Sequence, residues 1–252
     1  MSKISLRPIV TCPEITFAGD KIAVLPPDIQ QKVDTYWRKL TAANPRLHNG
    51  EVFTVTSVNK DAEDLRITLA ETDYAHYLYS QQIGGLGDYQ VRVIHPVTLA
   101  LSKDNQLIFG RMANHTSLAG SIECCGGGID HDDVENGIVR IDHTATKELA
   151  EELGIDTHDK SQVASFEPRY LKTGGPTDKM TVIFILQLNQ TSNEFTKHYD
   201  NFITQLKTHG EEPEFSEIFY LDRNAQSVNE FISQHLGQLG EYFPALLSEI
   251  TR

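Results

Sequence analysis

Cysteine is scarce in this chain: Cys12, Cys124 and Cys125 are all it has in 252 residues. Three thiols, two of them adjacent, supply neither a disulfide framework nor zinc-ligand spacing. Reduced thiols are the default in a cytosolic protein. Basic residues are also few, 22 Lys and Arg against 35 Asp and Glu, and the net charge of −13 argues against a general nucleic-acid-binding surface. No run approaches the roughly 18 consecutive apolar residues of a membrane helix. The segment Met1 to Pro8 lacks the apolar core of a secretory signal. A cytoplasmic protein is the default expectation, and neither internal repeats nor low-complexity tracts are visible.

What remains is ordinary soluble composition, 39% hydrophobic and 23% charged residues. The length suits one catalytic domain plus an extension. The most informative stretch is Lys147-Glu148-Leu149-Ala150-Glu151-Glu152-Leu153-Gly154-Ile155. At about 100° per residue, Glu148, Glu151 and Glu152 fall within an arc of roughly 100° on a helix. Like charges at i,i+4 destabilise a helix by a few tenths of a kcal/mol. A divalent cation with hard-oxygen preference, Mg²⁺ or Mn²⁺, would remove that repulsion. An isolated Glu-rich helix face is more often solvated surface. Here the glycine run Gly126-Gly127-Gly128 precedes it and Gly154 follows as a helix stop.

In this setting the segment resembles the box of the Nudix hydrolases, G-x5-E-x7-R-E-U-x-E-E-x-G-U, where U is aliphatic. Glu148, Leu149, Glu151, Glu152, Gly154 and Ile155 match its second half, and Glu123-Cys124-Cys125-Gly126-Gly127 looks like its opening, with Cys125 where proline is usual. Three departures stand out. The second half arrives late, so the box carries an insertion. Lys147 replaces the usual arginine and cannot make a bidentate guanidinium–carboxylate pair. Val139 occupies the place of the first box glutamate, and Glu135, one helical turn earlier, is the candidate substitute.

The insertion reads as an early start of the box helix near Asp133. Asp132-Asp133-Val134-Glu135 has capping-box spacing, and Val134, Ile138, Ile141, Ala145 and Leu149 continue one apolar stripe, at the cost of Gly137 inside the helix. Asp130, His131, Asp132 and Asp133 are either a second metal cluster or, the simpler reading, a solvated loop with cap carboxylates. Cys124 and Cys125 read as strand-end packing. Isopentenyl-diphosphate isomerases share the Nudix fold and use a cysteine, but their cysteine motif is not reproduced.

Along the chain, β-like runs at Ile15–Ala18 and Lys21–Leu25 precede a helix from Pro27 to Ala43 stopped by Asn44-Pro45. Strands are expected at Glu51–Val58 and Leu65–Ala70 around a turn at Asn59–Asp61, then a helix at Tyr74–Gln82. Gly84-Gly85-Leu86-Gly87 is the expected boundary between an α+β extension, 1–87, and a catalytic domain, 88–252. Strands follow at Val91–Leu101, Leu107–Ala113 and Ile122–Cys125, then Gln162–Tyr170 and Met180–Leu188 around a loop from Leu171 to Lys179. Phe215–Leu221 is the last strand, and helices at Ala225–Leu236 and Glu241–Thr251 close the chain.

The resemblance implies an α/β/α sandwich with a mixed sheet and a diphosphate-cleaving activity dependent on Mg²⁺ or Mn²⁺. It assigns metal to Glu148 and Glu152 first, with Glu151, the Gly127 main chain and Glu123. Of the acidic loop Glu211 to Glu217, Glu214 is preferred over Glu217 as the further catalytic carboxylate. Arg111, Lys147, Tyr170 and Lys179 are the substrate-binding candidates, with Lys172 beside them; Lys147 is expected to steady carboxylates more than to hold phosphate. Tyr36-Trp37 and Asn44-Pro45-Arg46-Leu47-His48-Asn49-Gly50 look like the segment ahead of the UDP-sugar diphosphatase branch. Its substrates are UDP-glucose and UDP-galactose. ADP-ribose or dinucleotide hydrolysis, and a non-catalytic nucleotide-binding domain, are the alternatives. The partner expected is a small nucleotide, without nucleic acid or membrane, and the resemblance admits a homodimer.

Overall fold

The structure, a computed structural model, describes residues 2–21, 25–45, 47–61 and 64–252. Twelve strands and six α-helices form two mixed sheets among the described residues. The larger sheet is built from β1 (Ser2–Pro8), β10 (Val163–Gly175), β11 (Met180–Leu188), β5 (Ile94–Leu101), β6 (Gln106–Met112) and β12 (Phe215–Asp222), in that order, with β7 (Ile122–Glu123) also paired to β6. Only β11 and β5 run parallel. The smaller sheet orders β3 (Glu51–Asp61), β4 (Asp64–Asp73), β2 (Glu14–Lys21), β9 (Ile138–Val139) and β8 (Val134–Glu135).

Strand alternation sorts side chains to the two faces of the larger sheet. Leu99, Phe109 and Ile183 face one core with α5 (Ala225–Gln234) and α6 (Phe243–Ile250). Ala100, Ile108 and Leu186 face the other, against α3 (Ile141–Leu153) and α4 (Ser192–His209). A third core joins Leu171, Val182 and Phe184 of this sheet to Ile15, Phe53, Ile67 and Leu69 of the smaller one. The result is a mixed α/β layered fold with a second sheet packed on part of one face.

Several expectations hold closely. Helices α1 (Pro27–Ala43) and α2 (Tyr74–Gln82) have the expected bounds, the first with proline in its opening turn and the second capped by Asp73, whose side chain accepts from His76 N–H at 2.8 Å. Of the run Lys21–Leu25, residues 22–24 lie outside the described residues, as does Arg46. The turn expected at Asn59–Asp61 does not form there: those residues are still strand, paired with Asp64–Arg66. Strand β10 runs on to Gly175, so Leu171–Gly175 is not loop; pairing with β1 on one side and β11 on the other extends it.

The early start of the box helix is not what forms. His131–Asp133 is a single 3₁₀ turn with Asp130, not Asp132, as its cap, and Val134–Val139 is a hairpin. Asn136 (φ 52°) and Gly137 (φ 77°) both take the left-handed region, the signature of a tight hairpin turn. That turn chemistry overrides the helix-like stripe. Ile141, Ala145 and Leu149 do continue it into the core, whereas Ile138 is exposed. Helix α3 therefore begins at Ile141 and ends at Gly154, whose φ of 67° and N–H to Ala150 and Leu149 carbonyls form the expected stop.

The chain crosses the expected boundary at Gly87 twice. Strand β1, from the extension, pairs with β10, and the hairpin β8–β9 joins the extension's sheet through Thr16 and Ile138.

Candidate active site

One cavity of about 770 Å³ opens between the two sheets and receives side chains from both. On one wall stand Glu148, Glu151 and Glu152 of α3, Glu214 just ahead of β12, and Glu123 at the end of β7. Gly126, Gly127 and Gly128 run beneath them. Eight of the ten residues expected at the site line this one cavity: these five carboxylates, Gly127, Lys147 and Lys179.

The glycine run earns its place by close approach. A Cβ on Gly127 would meet the Glu148 carboxylate at 2.2 Å, and one on Gly126 would meet the Pro96 carbonyl oxygen at 2.4 Å. Gly126 N–H donates to Glu152 Oε2 at 3.1 Å, fixing a glutamate that is only 2% exposed. Burial drives the Glu152 pKa well up, and Glu148 and Glu214 add to it against the Cys125 and Gly126 hydrogen bonds. Glu148 is pushed up to about 7, first by burial and then by Glu151, with Glu214 and Asp133 adding to it and Lys147 opposing. Glu123 also lies above its ordinary value through burial, against hydrogen bonds from Ser121 and Tyr242. The Ser121 hydroxyl donates to it at 2.6 Å, so Glu123 is braced at the loop's entrance.

Lys147 is held by aspartates of the 3₁₀ turn. Its Nζ donates to Asp130 Oδ2 at 2.6 Å and lies 3.6 Å from Asp133 Oδ2, whose side chain is fully buried. Asp133 also accepts the Asp130 N–H at 3.1 Å. The insertion thus supplies Lys147's carboxylate partners. Glu135 does not replace the missing glutamate: it is exposed and pairs with Arg140 at 3.6 Å on the far side of the hairpin turn. Val139 is buried in the core between the sheets.

Arg111 and Tyr170 lie away from the cavity. Arg111 shares its sheet face with Phe109, opposite Met112, which lines the cavity. It pairs with Glu217 at 2.9 Å, donates to Gln238 Oε1 at 2.7 Å and sits over the Phe219 ring. Tyr170 is buried in the α5–α6 core, and Lys172 is sealed in an ion pair with Glu241. Glu217, engaged by Arg111, is likewise outside the lining. Cys124 and Cys125 are buried, and burial holds both thiols well above their ordinary pKa, as packing residues rather than thiolates.

The four residues Asp130 to Asp133 do not converge on one point. His131 turns away, 3.0 Å from Glu51 and 3.6 Å from Glu71, with Phe17 and Phe53 edge-on to its ring. Glu51, Glu71 and His131 are the one group among the described residues whose donor atoms all lie within 4.8 Å of one another. Their ion pairs clamp the end of the glycine loop to β3 and β4. The cavity also contains residues the sequence did not mark. His95, at the start of β5, bonds Thr181 Oγ1 at 2.9 Å, and burial together with Lys179 and Lys172 lowers its pKa to about 3. Tyr74 and Tyr77 come from α2, far away in sequence, and no local pattern signals them.

No protein-family model matches the chain, and no curated protein matches it. Among solved structures it is similar to DR0079 from Deinococcus radiodurans, at 14% identity over 64% of this chain and 84% of that one, with a TM-score of 0.40. It is similar to a MutT protein from Methanosarcina mazei at 13% identity, covering 63% and 92% of the two chains, TM-score 0.36. A NUDIX hydrolase from Nitrosomonas europaea shares 11% identity over 63% and 87%, TM-score 0.36. These likenesses are distant, so the chemistry rests on this chain's own residues. Among the described residues, no helix is long and apolar enough to cross a membrane.

Proposed function

We propose that the chain is a Nudix-type hydrolase that cleaves the diphosphate bond of a nucleoside diphosphate joined to a second moiety, a nucleotide sugar first. UDP-glucose giving UMP and glucose 1-phosphate is the leading case. The observation that carries this reading is the convergence of Glu148, Glu151, Glu152 and Glu214 from two elements on one cavity. Such crowding of carboxylates, two of them with raised pKa, is unfavourable unless a cation shares the site.

The donor set fits a hard divalent ion. It is all oxygen, its carboxylates repel one another, and Gly127 leaves no side chain between loop and Glu148. Glu148 and Glu152 would hold Mg²⁺ or Mn²⁺, with Glu151 and the Gly127 carbonyl completing the set. Bound there, the ion supplies screening of phosphate charge and a lower pKa for water. The residues do the rest by position. Gly126 N–H fixes Glu152. Lys147 is spent on Asp130 and Asp133 and holds the turn below the loop. Lys179 and Glu214 line the cavity; Lys179 would meet phosphate, and Glu214 would take the proton of the attacking water.

The test is a panel of UDP-glucose, UDP-galactose, ADP-ribose and dinucleotides, incubated with Mg²⁺ or Mn²⁺ and resolved by mass. UMP with a sugar 1-phosphate supports the leading case, and AMP from ADP-ribose moves the assignment to that substrate. Binding of these compounds with no phosphate-containing product would sink the hydrolase reading.

A further inference from the structure

The wall opposite the carboxylates belongs to the N-terminal extension, and its chemistry is aromatic. Tyr74 and Tyr77, one turn apart on α2, stack with ring centroids 5.8 Å apart and planes 27° from parallel. Trp37 of α1 meets Tyr74 edge-on at 6.3 Å. Lys179, from the turn before β11, stands with Nζ 5.7 Å from the Tyr77 centroid. Lys179 lines the same cavity as both tyrosines, His95 and the carboxylates.

This wall is fixed in place by the segment that links the two halves. Ser80 Oγ accepts Val91 N–H at 2.8 Å, Gln81 donates to the Val91 carbonyl at 3.0 Å, and His76 bonds the Tyr89 carbonyl at 2.8 Å. Arg92 pairs with Asp178, beside Lys179, at 3.2 Å, and Val55 N–H donates to the Arg92 carbonyl at 2.6 Å. Helix α2, strand β3 and the turn carrying Lys179 are therefore bolted to one short stretch. Rings and cation held this way lose little freedom when a ligand arrives.

We propose that Tyr74 and Tyr77 are the platform on which the substrate's nucleobase stacks, with Lys179 taking the adjoining phosphate. The extension is then the specificity half of the site and α3 the reacting half. A flat heterocycle can stack on the outer face of the tyrosine pair, and the flexible Lys179, 5.7 Å from the Tyr77 centroid, can reach a phosphate held one ribose away from that base. The inference rests on the hydrolase reading only for the presence of a diphosphate. It makes a claim about binding that needs no turnover.

The experiment measures Kd by calorimetry on the full chain without metal, using UMP, AMP, ribose 5-phosphate and glucose 1-phosphate. At least one nucleoside monophosphate should bind about tenfold or more tightly than ribose 5-phosphate, as base stacking on aromatics allows. Tyr77→Ala should remove that advantage, Tyr77→Phe should keep it, and Lys179→Ala should weaken all four ligands together. Equal binding of ribose 5-phosphate and both nucleotides by the wild-type chain overturns the inference, whatever becomes of the variants. Tightest binding of glucose 1-phosphate, lost in Tyr77→Ala, overturns it in favour of a sugar platform. Base-dependent binding with no hydrolysis in Mg²⁺ upholds it while removing the hydrolase reading. Hydrolysis without base-dependent binding does the reverse.

Discussion

Residue 127 has no room for a side chain, because a Cβ there would lie 2.2 Å from Glu148 Oε1. The neighbour is the end of a flexible side chain, so the clash is relieved by moving the carboxylate. Gly126 is different. Its Cβ would meet backbone, Pro96 O at 2.4 Å and Val97 Cα at 2.8 Å, at a φ of +154°.

The two glycines should therefore fail in different ways. Gly127→Ala should melt near wild type but lose about a hundredfold or more in turnover, the scale expected when a reacting group is misplaced by an ångström. Gly126→Ala should lose about 1–3 kcal/mol of stability. Thermal melts and turnover of both variants check this, and equal melting losses would contradict it.

Glu152→Gln keeps an oxygen for the Gly126 N–H while replacing a carboxyl, 2% exposed, by a group that cannot ionise to meet a cation. Turnover should fall by at least about a hundredfold. The metal-free melting temperature should equal or exceed that of wild type, since folding has to hold this buried carboxyl in its protonated form whereas the amide is neutral already. Wild-type activity in this variant would remove Glu152 from the site.

Metal-free protein should lose stability as pH rises. Glu148 moves from an ordinary 4.5 to about 7 in the folded state, so folding favours its protonated form. The stabilisation is fully present below pH 4.5 and lost on passing through 7, amounting to at most about 3 kcal/mol. Denaturant midpoints between pH 5 and 8 should fall for wild type and fall less for Glu148→Gln. A flat wild-type profile would contradict the burial of this group.

Lys147 neutralises Asp133, which has no exposed side-chain surface. Lys147→Ala should cost about 1–3 kcal/mol by leaving that carboxylate short of its cation. Lys147→Arg should keep most of the stability. A Lys147→Ala variant that melts as wild type does would contradict this role.

The sequence was most legible where one local signal acted alone. Proline in the first turn of α1, Asp73 before α2 and Gly154 after α3 each mark a boundary that forms. Where two signals compete, the stripe through Val134 and Ile138 misleads: set against the cost of Gly137 alone it favours a helix, whereas Asn136 and Gly137 together form a hairpin turn. Helix α4 was passed over although Thr191 and Glu194 form a capping box, because it buries only Phe195 and Tyr199 fully. Strand β1 was missed for want of a hydrophobic run, since its strand state comes from pairing with β10. The α3 carboxylates are readable because they are neighbours in the chain. The aromatic wall was not, being assembled across the sheets from α2 and the turn before β11.

Strand β1 carries one further consequence. Among the described residues it is the edge strand of the larger sheet, pairing with β10, whose other side is taken by β11. Cutting the chain at the Gly84–Gly87 linker would uncover the Tyr170–Gly175 stretch of β10 that β1 pairs with, leaving its N–H and C=O groups open to any strand in solution. Such a fragment should self-associate, so residues 88–252 should not be trimmed to a stand-alone unit, and any engineered fusion should leave Ser2–Pro8 free to close the sheet.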